Sequence, residues 1–201
     1  MTYTAIGFDW GGVLNGKPGK VFGEAVASIL NVTFDEYRTA YFHHNTAFNT
    51  GEIDTRELWR RVLEELGKVD QLDEVLAFST ESHKDSPNLD VISLVDRLRD
   101  NGYKVGLLSN NTKENGEKIR ASGLDRHFNV FHISAETGLT KPTPQAFDYF
   151  AEELGVTLNE LIFIDDTEKS LSTASDIGFA PILFNNYEQL VSDLKQLGIQ
   201  V

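Results

Sequence analysis

The chain of 201 residues contains no cysteine. That excludes disulfides, thiolate zinc sites and a cysteine nucleophile, and it fits a reducing compartment such as the cytosol. Basic residues are scarce: 18 Lys and Arg stand against 31 Asp and Glu, a formal net charge of −13. A field of that sign repels polyanions, so no nucleic acid and no membrane surface is expected as a partner. Long apolar runs are missing too. The opening MTYTAIGF has neither the basic nor the apolar region of a signal peptide, and no later run approaches a membrane span. There is no internal repeat, low-complexity tract or long linker. The expectation is a soluble, cytoplasmic chain whose oligomeric state the sequence leaves open. A phosphorylated ligand is admissible only where a bound cation or a placed lysine reverses the local potential.

What remains is ordinary globular composition, 40% hydrophobic and 24% charged, enough for one large domain or a core with an insertion. The stretch from Ala5 to Leu14 organises it. A short apolar strand (Ile6, Gly7, Phe8) ends in Asp9, followed by a turn carrying Gly11 and Gly12. In a parallel α/β sheet ligands sit beyond the carboxyl ends of the strands, so Asp9 projects into the crevice. Glycines let backbone approach a ligand, and successive N–H groups in such a turn make an anion nest. Alone, the stretch serves equally well as a tight strand-to-helix connection.

The pattern then turns helical, and no strand pattern interrupts residues 18 to 84. Thr33 and Glu36 form a capping box before Phe34, Tyr37 and Tyr41, and Asp54 and Glu57 precede Leu58, Trp59, Val62, Leu63 and Leu66. A further amphipathic segment covers about Asp70 to Ser82. Residues 17–84 read as a small helical bundle inserted as a cap, with Phe42, Phe48 and Trp59 as bundle core and with Asn15 and Asp85 at the hinges. From Asp85 onward helix and strand alternate. Ser86, Pro87 and Asn88 open a helix with apolar Val91, Leu94, Val95 and Leu98, closed by Asn101-Gly102, and a strand covers Tyr103 to Leu108. Further helices are expected near Glu114 to Ala121, at Pro144 to Leu154 and at Glu168 to Ile177, each stopped by glycine. Strands follow at Val130 to Ile133, Leu161 to Ile164 and Pro181 to Phe184, and 186–197 form a last covering helix. This grammar specifies an α/β fold with a doubly wound parallel sheet, Rossmann-like, from 1–16 and 85–201.

Three more positions fall where Asp9 falls. Ser109, before Asn110 and Asn111, offers a hydroxyl and a following N–H to a phosphoryl oxygen, although Ser-Asn-Asn is also a common helix cap. Lys141 lies between Gly138 and Pro142 in a constrained loop; a lysine there is ordinarily solvated. Phe163-Ile164-Asp165-Asp166 puts two acids at a strand end, costly unless a cation lies among them. One acid serves as a helix cap, which leaves the other unexplained. Together with Asp9 they make a carboxylate cluster suited to Mg²⁺.

With these residues in hand, the chain resembles the haloacid dehalogenase superfamily, in the branch with a helical cap after the first motif. FDWGGVL, LLSNNT, SAETGLTKPTPQAF and FIDD stand in that family's order and spacing. The resemblance implies that Asp9 is the nucleophile forming an aspartyl-phosphate. It implies that Asp9, the Gly11 carbonyl and Asp166 hold Mg²⁺, with Asp165 acting through water or orienting Lys141. Ser109, the amide of Asn110 and Lys141 then bind the transferring group, beside the Gly11-Gly12 turn. The implied function is a phosphoric monoester hydrolase for a small phosphorylated metabolite.

One position departs from the pattern. The family's phosphatases usually carry a second, acid/base aspartate two residues after the nucleophile, where this chain has Gly11; a general acid/base typically contributes about 10² to 10⁴ in rate. A branch resembling the bacterial glucose-1-phosphate phosphatases also has glycine there, which points toward esters with good leaving groups, such as sugar 1-phosphates. Metal-independent 2-haloacid dehalogenases also lack that aspartate, but would not be expected to keep Asp165-Asp166. A catalytically silent phospho-ligand or protein binder is a third reading. Histidine is a usual proton donor in such sites, but His43 and His44 are neighbours on a helix and point apart, and neither is assigned a role.

Overall fold

The structure, a computed structural model, describes residues 2–16, 19–82 and 87–201. The expected segment boundaries at 16/17 and 84/85, the hinge at Asp85 and the helix-opening Ser86 lie outside the described residues. Five strands form one parallel sheet: β1 (Ala5–Phe8), β2 (Lys104–Ser109), β3 (Val130–Ile133), β4 (Leu161–Asp165) and β5 (Ala180–Leu183), in the order β3-β2-β1-β4-β5. The chain steps outward from β1 to β3 and then returns to β1's other side with β4. That reversal opens a crevice at the carboxyl ends of β1 and β4.

Alternation along the strands sorts the core into two layers. Ile6, Phe8, Val105, Leu107, Ile162 and Ile164 face one way, with α5 (Leu89–Asp100), α6 (Lys113–Ser122) and α10 (Tyr187–Gln196) packed on them. Ala5, Leu108, Leu161 and Phe163 face the other, under α8 (Pro144–Leu154) and α9 (Ala174–Ile177). Between β3 and α8 lies the short α7 (Ser134–Thr137). On the second face Gly7 and Gly106 are paired in register, and the rings of Phe150 and Phe163 occupy the room their missing side chains leave. A Cβ at Gly7 would stand 2.5 Å from Phe163, and one at Gly106 would stand 2.6 Å from Phe150.

The segment between β1 and β2 carries α1 (Gly19–Leu30), α2 (Phe34–Asn49), α3 (Thr55–Leu66) and α4 (Leu72–Ser82) before α5. These four helices have a core of their own, with Val26, Leu30, Tyr37, Leu58, Trp59, Val62, Leu63 and Val75 buried. The reciprocal Thr33–Glu36 capping box forms, and Asp54 caps α3 by accepting from the Glu57 N–H at 2.8 Å. Phe48 and Trp59 belong to this core as expected; Phe42 does not.

Three further differences have local causes. The helix expected from Glu168 to Ile177 is broken into a 3₁₀ turn (Glu168–Leu171) and the four-residue α9. Its Ser172-Thr173 pair interrupts it, and Thr173 donates its hydroxyl to the Pro142 carbonyl at 2.9 Å. Strand β5 starts one residue before Pro181, where a proline is tolerated because it lies on an edge strand. Asn15, expected at a hinge, has its backbone paired on both sides: its N–H bonds the Trp10 carbonyl, its own carbonyl accepts from Gly12, and it bridges to Pro87.

Candidate active site

Every candidate side chain emerges at the carboxyl edge of the sheet. Asp9 follows β1, its N–H bonded to the Ile164 carbonyl at 2.9 Å, so it sits beside the end of β4. Asp165 closes β4 and Asp166 follows it. One oxygen from each of these three carboxylates can be chosen so that all lie within 4.8 Å of one another. Lys141 reaches into the group from the loop after α7. Its Nζ is 2.8 Å from Asp9 Oδ1 and 2.5 Å from Asp165 Oδ2, and its side chain is 1% exposed. The ammonium also lies over the Phe163 ring, 5.0 Å from its centroid.

The loop that delivers Lys141 is held from β2. Asn110 grips its backbone twice: Nδ2 donates to the Lys141 carbonyl and Oδ1 accepts the Lys141 N–H, both at 2.8 Å. The Lys141–Pro142 peptide is cis. The expectation for Asn110 rests on its amide; what the structure shows is its side chain holding the lysine loop. Ser109 ends β2 and is 2% exposed, one level beyond Asp9 in the β1–β2 register.

The acidic pair is divided by its bonding. Asp165 has both oxygens engaged, Oδ2 with Lys141 and Oδ1 with the Thr167 N–H at 2.9 Å. Asp166 accepts from the Thr167 hydroxyl at 3.2 Å and from the Gly19 N–H, a close contact to the first residue of α1. Burial pushes the Asp165 carboxyl up to about 7, with Asp9 and Asp166 adding to the rise and Lys141 opposing it. Burial, followed by the Asp9 charge, pushes Asp166 up to about 6. For Lys141 burial acts downward, but Asp165 and Asp9 outweigh it and hold the ammonium above the usual lysine range. The protein thus crowds negative charge that one ammonium only partly offsets.

The glycine turn differs from the expected nest at one residue. Gly12 has a φ of 71°, a conformation that favours glycine, but its N–H is committed to the Asn15 carbonyl at 2.8 Å and is not offered to an anion. Gly11 has no positive φ and is exposed. A Cβ there would meet only Asp9 Oδ2, at 3.9 Å, so nothing steric demands glycine at this position.

Residues given no part in the site from the sequence complete the surroundings. Lys169 Nζ lies 4.1 Å above the Phe42 ring, joining the 3₁₀ turn after Asp166 to α2. Desolvation holds the Lys169 ammonium below its ordinary range. Tyr41, next along α2 and edge-on to Phe42 at 5.6 Å, has its phenol pushed up to about 12 by burial and by the charge of Asp166. The sequence signal for these was faint: a lysine three residues past an acidic pair and adjacent aromatics on a helix.

A model of the haloacid dehalogenase-like hydrolase family matches residues 3–178. The chain belongs to that family. Among relatives, the glyceraldehyde 3-phosphate phosphatase of Methanopyrus kandleri is 31% identical over 98 residues, covering 48% of this chain and 42% of that one. The bifunctional epoxide hydrolase 2 of Mus musculus is 28% identical over 105 residues, 50% of this chain and 19% of its own length. The chain therefore spans less than half the length of these relatives. The solved L-2-haloacid dehalogenase from Xanthobacter autotrophicus, with chloropropionic acid covalently bound, superposes with a TM-score of 0.60 at 17% identity, covering 100% of this chain and 85% of that one. That likeness is one of fold, which different chemistries share. Among the described residues no helix is long and apolar enough to cross a membrane.

Proposed function

We propose that this hydrolase is an Mg²⁺-dependent phosphomonoesterase acting on a small phosphorylated metabolite through an aspartyl-phosphate. The observation that carries the reading is the third carboxylate. Lys141 is already shared between Asp9 and Asp165, yet Asp166 is drawn into the same group. A reaction needing only a carboxylate nucleophile and a lysine has no use for it. The donors are all oxygens, which suits Mg²⁺ and disfavours soft metals. The phosphatase relative supports the reading; the same fold carrying a dehalogenase supplies the competing one.

Asp9, the Gly11 carbonyl and Asp166 would hold the ion, which when bound neutralises charge on the phosphoryl oxygens. Asp9 attacks phosphorus as the ester P–O bond breaks and the leaving oxygen takes a proton from solvent. Water then cleaves the acyl phosphate, releasing phosphate and restoring the carboxylate. Lys141, Ser109 and the Asn110 amide bind the equatorial oxygens, and Asp165 keeps Lys141 charged and aimed. With glycine at position 11 no side chain protonates the leaving group, so good leaving groups such as anomeric sugar phosphates are favoured. The helices of 19–82 act as a cap over this edge and select the substrate.

The test is an assay of aryl phosphate with and without Mg²⁺ alongside 2-chloropropionate, reading phosphate and chloride. Metal-dependent phosphate release that Asp9→Asn abolishes is expected. Metal-independent chloride release would establish the dehalogenase instead, and neither product would leave the binding role.

A further inference from the structure

Among the described residues one other set of metal-ligating side chains converges, and it shares no residue with the carboxylate site: His43 and His44 of α2 with Glu65 of α3. Successive residues of an α-helix project about 100° apart, so adjacent histidines are expected to face different surroundings. Here they do not. Their rings lie stacked, with centroids 4.6 Å apart and planes 22° apart. His43 Nδ1 is 2.9 Å and His44 Nε2 is 2.8 Å from the same oxygen, Glu65 Oε2. One ligand atom from each residue lies within 4.8 Å of the other two.

We propose that His43, His44 and Glu65 form a binding site for a zinc-class divalent cation that ties α2 to α3. Two ring nitrogens aimed at one carboxylate oxygen require a proton on each facing nitrogen when no ion is bound. A single dication replaces both protons and takes all three side chains near their present places. The set of two imidazoles and one carboxylate is a recognised zinc ligand combination that leaves a fourth position for water. Imidazole selects Zn²⁺, Ni²⁺ or Cu²⁺ over Mg²⁺, so this site and the all-oxygen one differ in the metal they prefer. Access is open: the side chains of His43, His44 and Glu65 are 69%, 21% and 36% exposed. The chain's net charge of −13 also draws cations toward it.

The test uses the full chain with excess Mg²⁺ present to occupy the carboxylate site, titrated calorimetrically with Zn²⁺. One equivalent is expected to bind. His44→Gln and Glu65→Gln, each checked for unchanged far-UV dichroism, should weaken it at least tenfold, while Asp9→Asn should leave it intact. Co²⁺ substitution supplies a second readout: an intense visible absorption from a low-coordinate nitrogen-containing site, lost in the same two variants. Failure of the wild type to bind Zn²⁺ under these conditions overturns the proposal. So does binding that the His44 and Glu65 variants retain in full, or binding that Asp9→Asn alone removes.

Discussion

At the scale of single residues, the candidate site is governed by where Lys141 is held. Its side chain is buried between two carboxylates, and removing either kind of partner would leave buried charge without compensation. Asn110 controls that placement through the backbone. Asn110→Ala removes two hydrogen bonds and should cost about 1–3 kcal/mol in urea unfolding. It should also lower kcat by about 10- to 100-fold, because misplacement on the ångström scale is that costly. Gly11 offers the converse experiment. With open space around its Cβ and no positive φ, Gly11→Asp should be accommodated beside Asp9 Oδ2. Supplying the missing acid/base should raise kcat on simple alkyl phosphates by about 10² while changing aryl phosphate turnover little. Equal effects on both ester classes would show that leaving-group protonation is not what Gly11 withholds.

At the scale of elements, the paired glycines of β1 and β2 fix how closely α8 approaches the sheet. Phe150 meets Phe163 edge-on, ring centroids 6.0 Å apart, directly over Gly7 and Gly106. Gly106→Ala would force its methyl to within 2.6 Å of Phe150. The expected cost is about 1–3 kcal/mol from overpacking, read as a lower urea midpoint at unchanged m-value. Since β2 and β4 also deliver Ser109 and the acidic pair, activity should fall with stability in this variant. The breakdown of the expected Glu168 to Ile177 helix belongs at this scale too. Periodicity favoured a helix, but the Thr173 hydroxyl finds the Pro142 carbonyl, and the 3₁₀ turn it leaves points Lys169 at Phe42.

At the scale of the whole molecule, pH and metal should act together. In the folded chain Asp165 and Asp166 keep their protons up to about 7 and about 6, whereas an unfolded chain loses them near the ordinary carboxylate pKa of about 4. Through that window the folded form binds more protons than the unfolded form, so these two groups weaken folding as the pH rises. A cation held there as proposed would bind the deprotonated carboxylates and reverse the trend. Mg²⁺ at a hundredfold excess over its Kd should add about 2.7 kcal/mol, a rise in Tm of about 5–10 °C for a chain of this size. That rise should be present at pH 7.5 and much smaller at pH 5, because protons compete for the same oxygens. A thermal-shift series at the two pH values checks it; a rise independent of pH would remove the buried carboxylates as the ligands.

The sequence alone determined the order of strands and helices, because period-2 and period-3.6 patterns and glycine stops are local properties that neighbouring residues write together. It also determined which strand ends carry Asp9, Ser109 and Asp165-Asp166, since a polar residue ending a buried run of a parallel sheet has one direction to face. Only the tertiary structure decided which oxygens Lys141 bridges, that Asn110 holds the lysine's loop, and that the Phe42 ring lies outside the bundle core, against Lys169. Such contacts join segments far apart along the chain, 147 positions in the case of Gly19 and Asp166. The stacked histidines depend on a carboxylate from the neighbouring helix. Each rests on distances between elements, which packing settles and residue order does not.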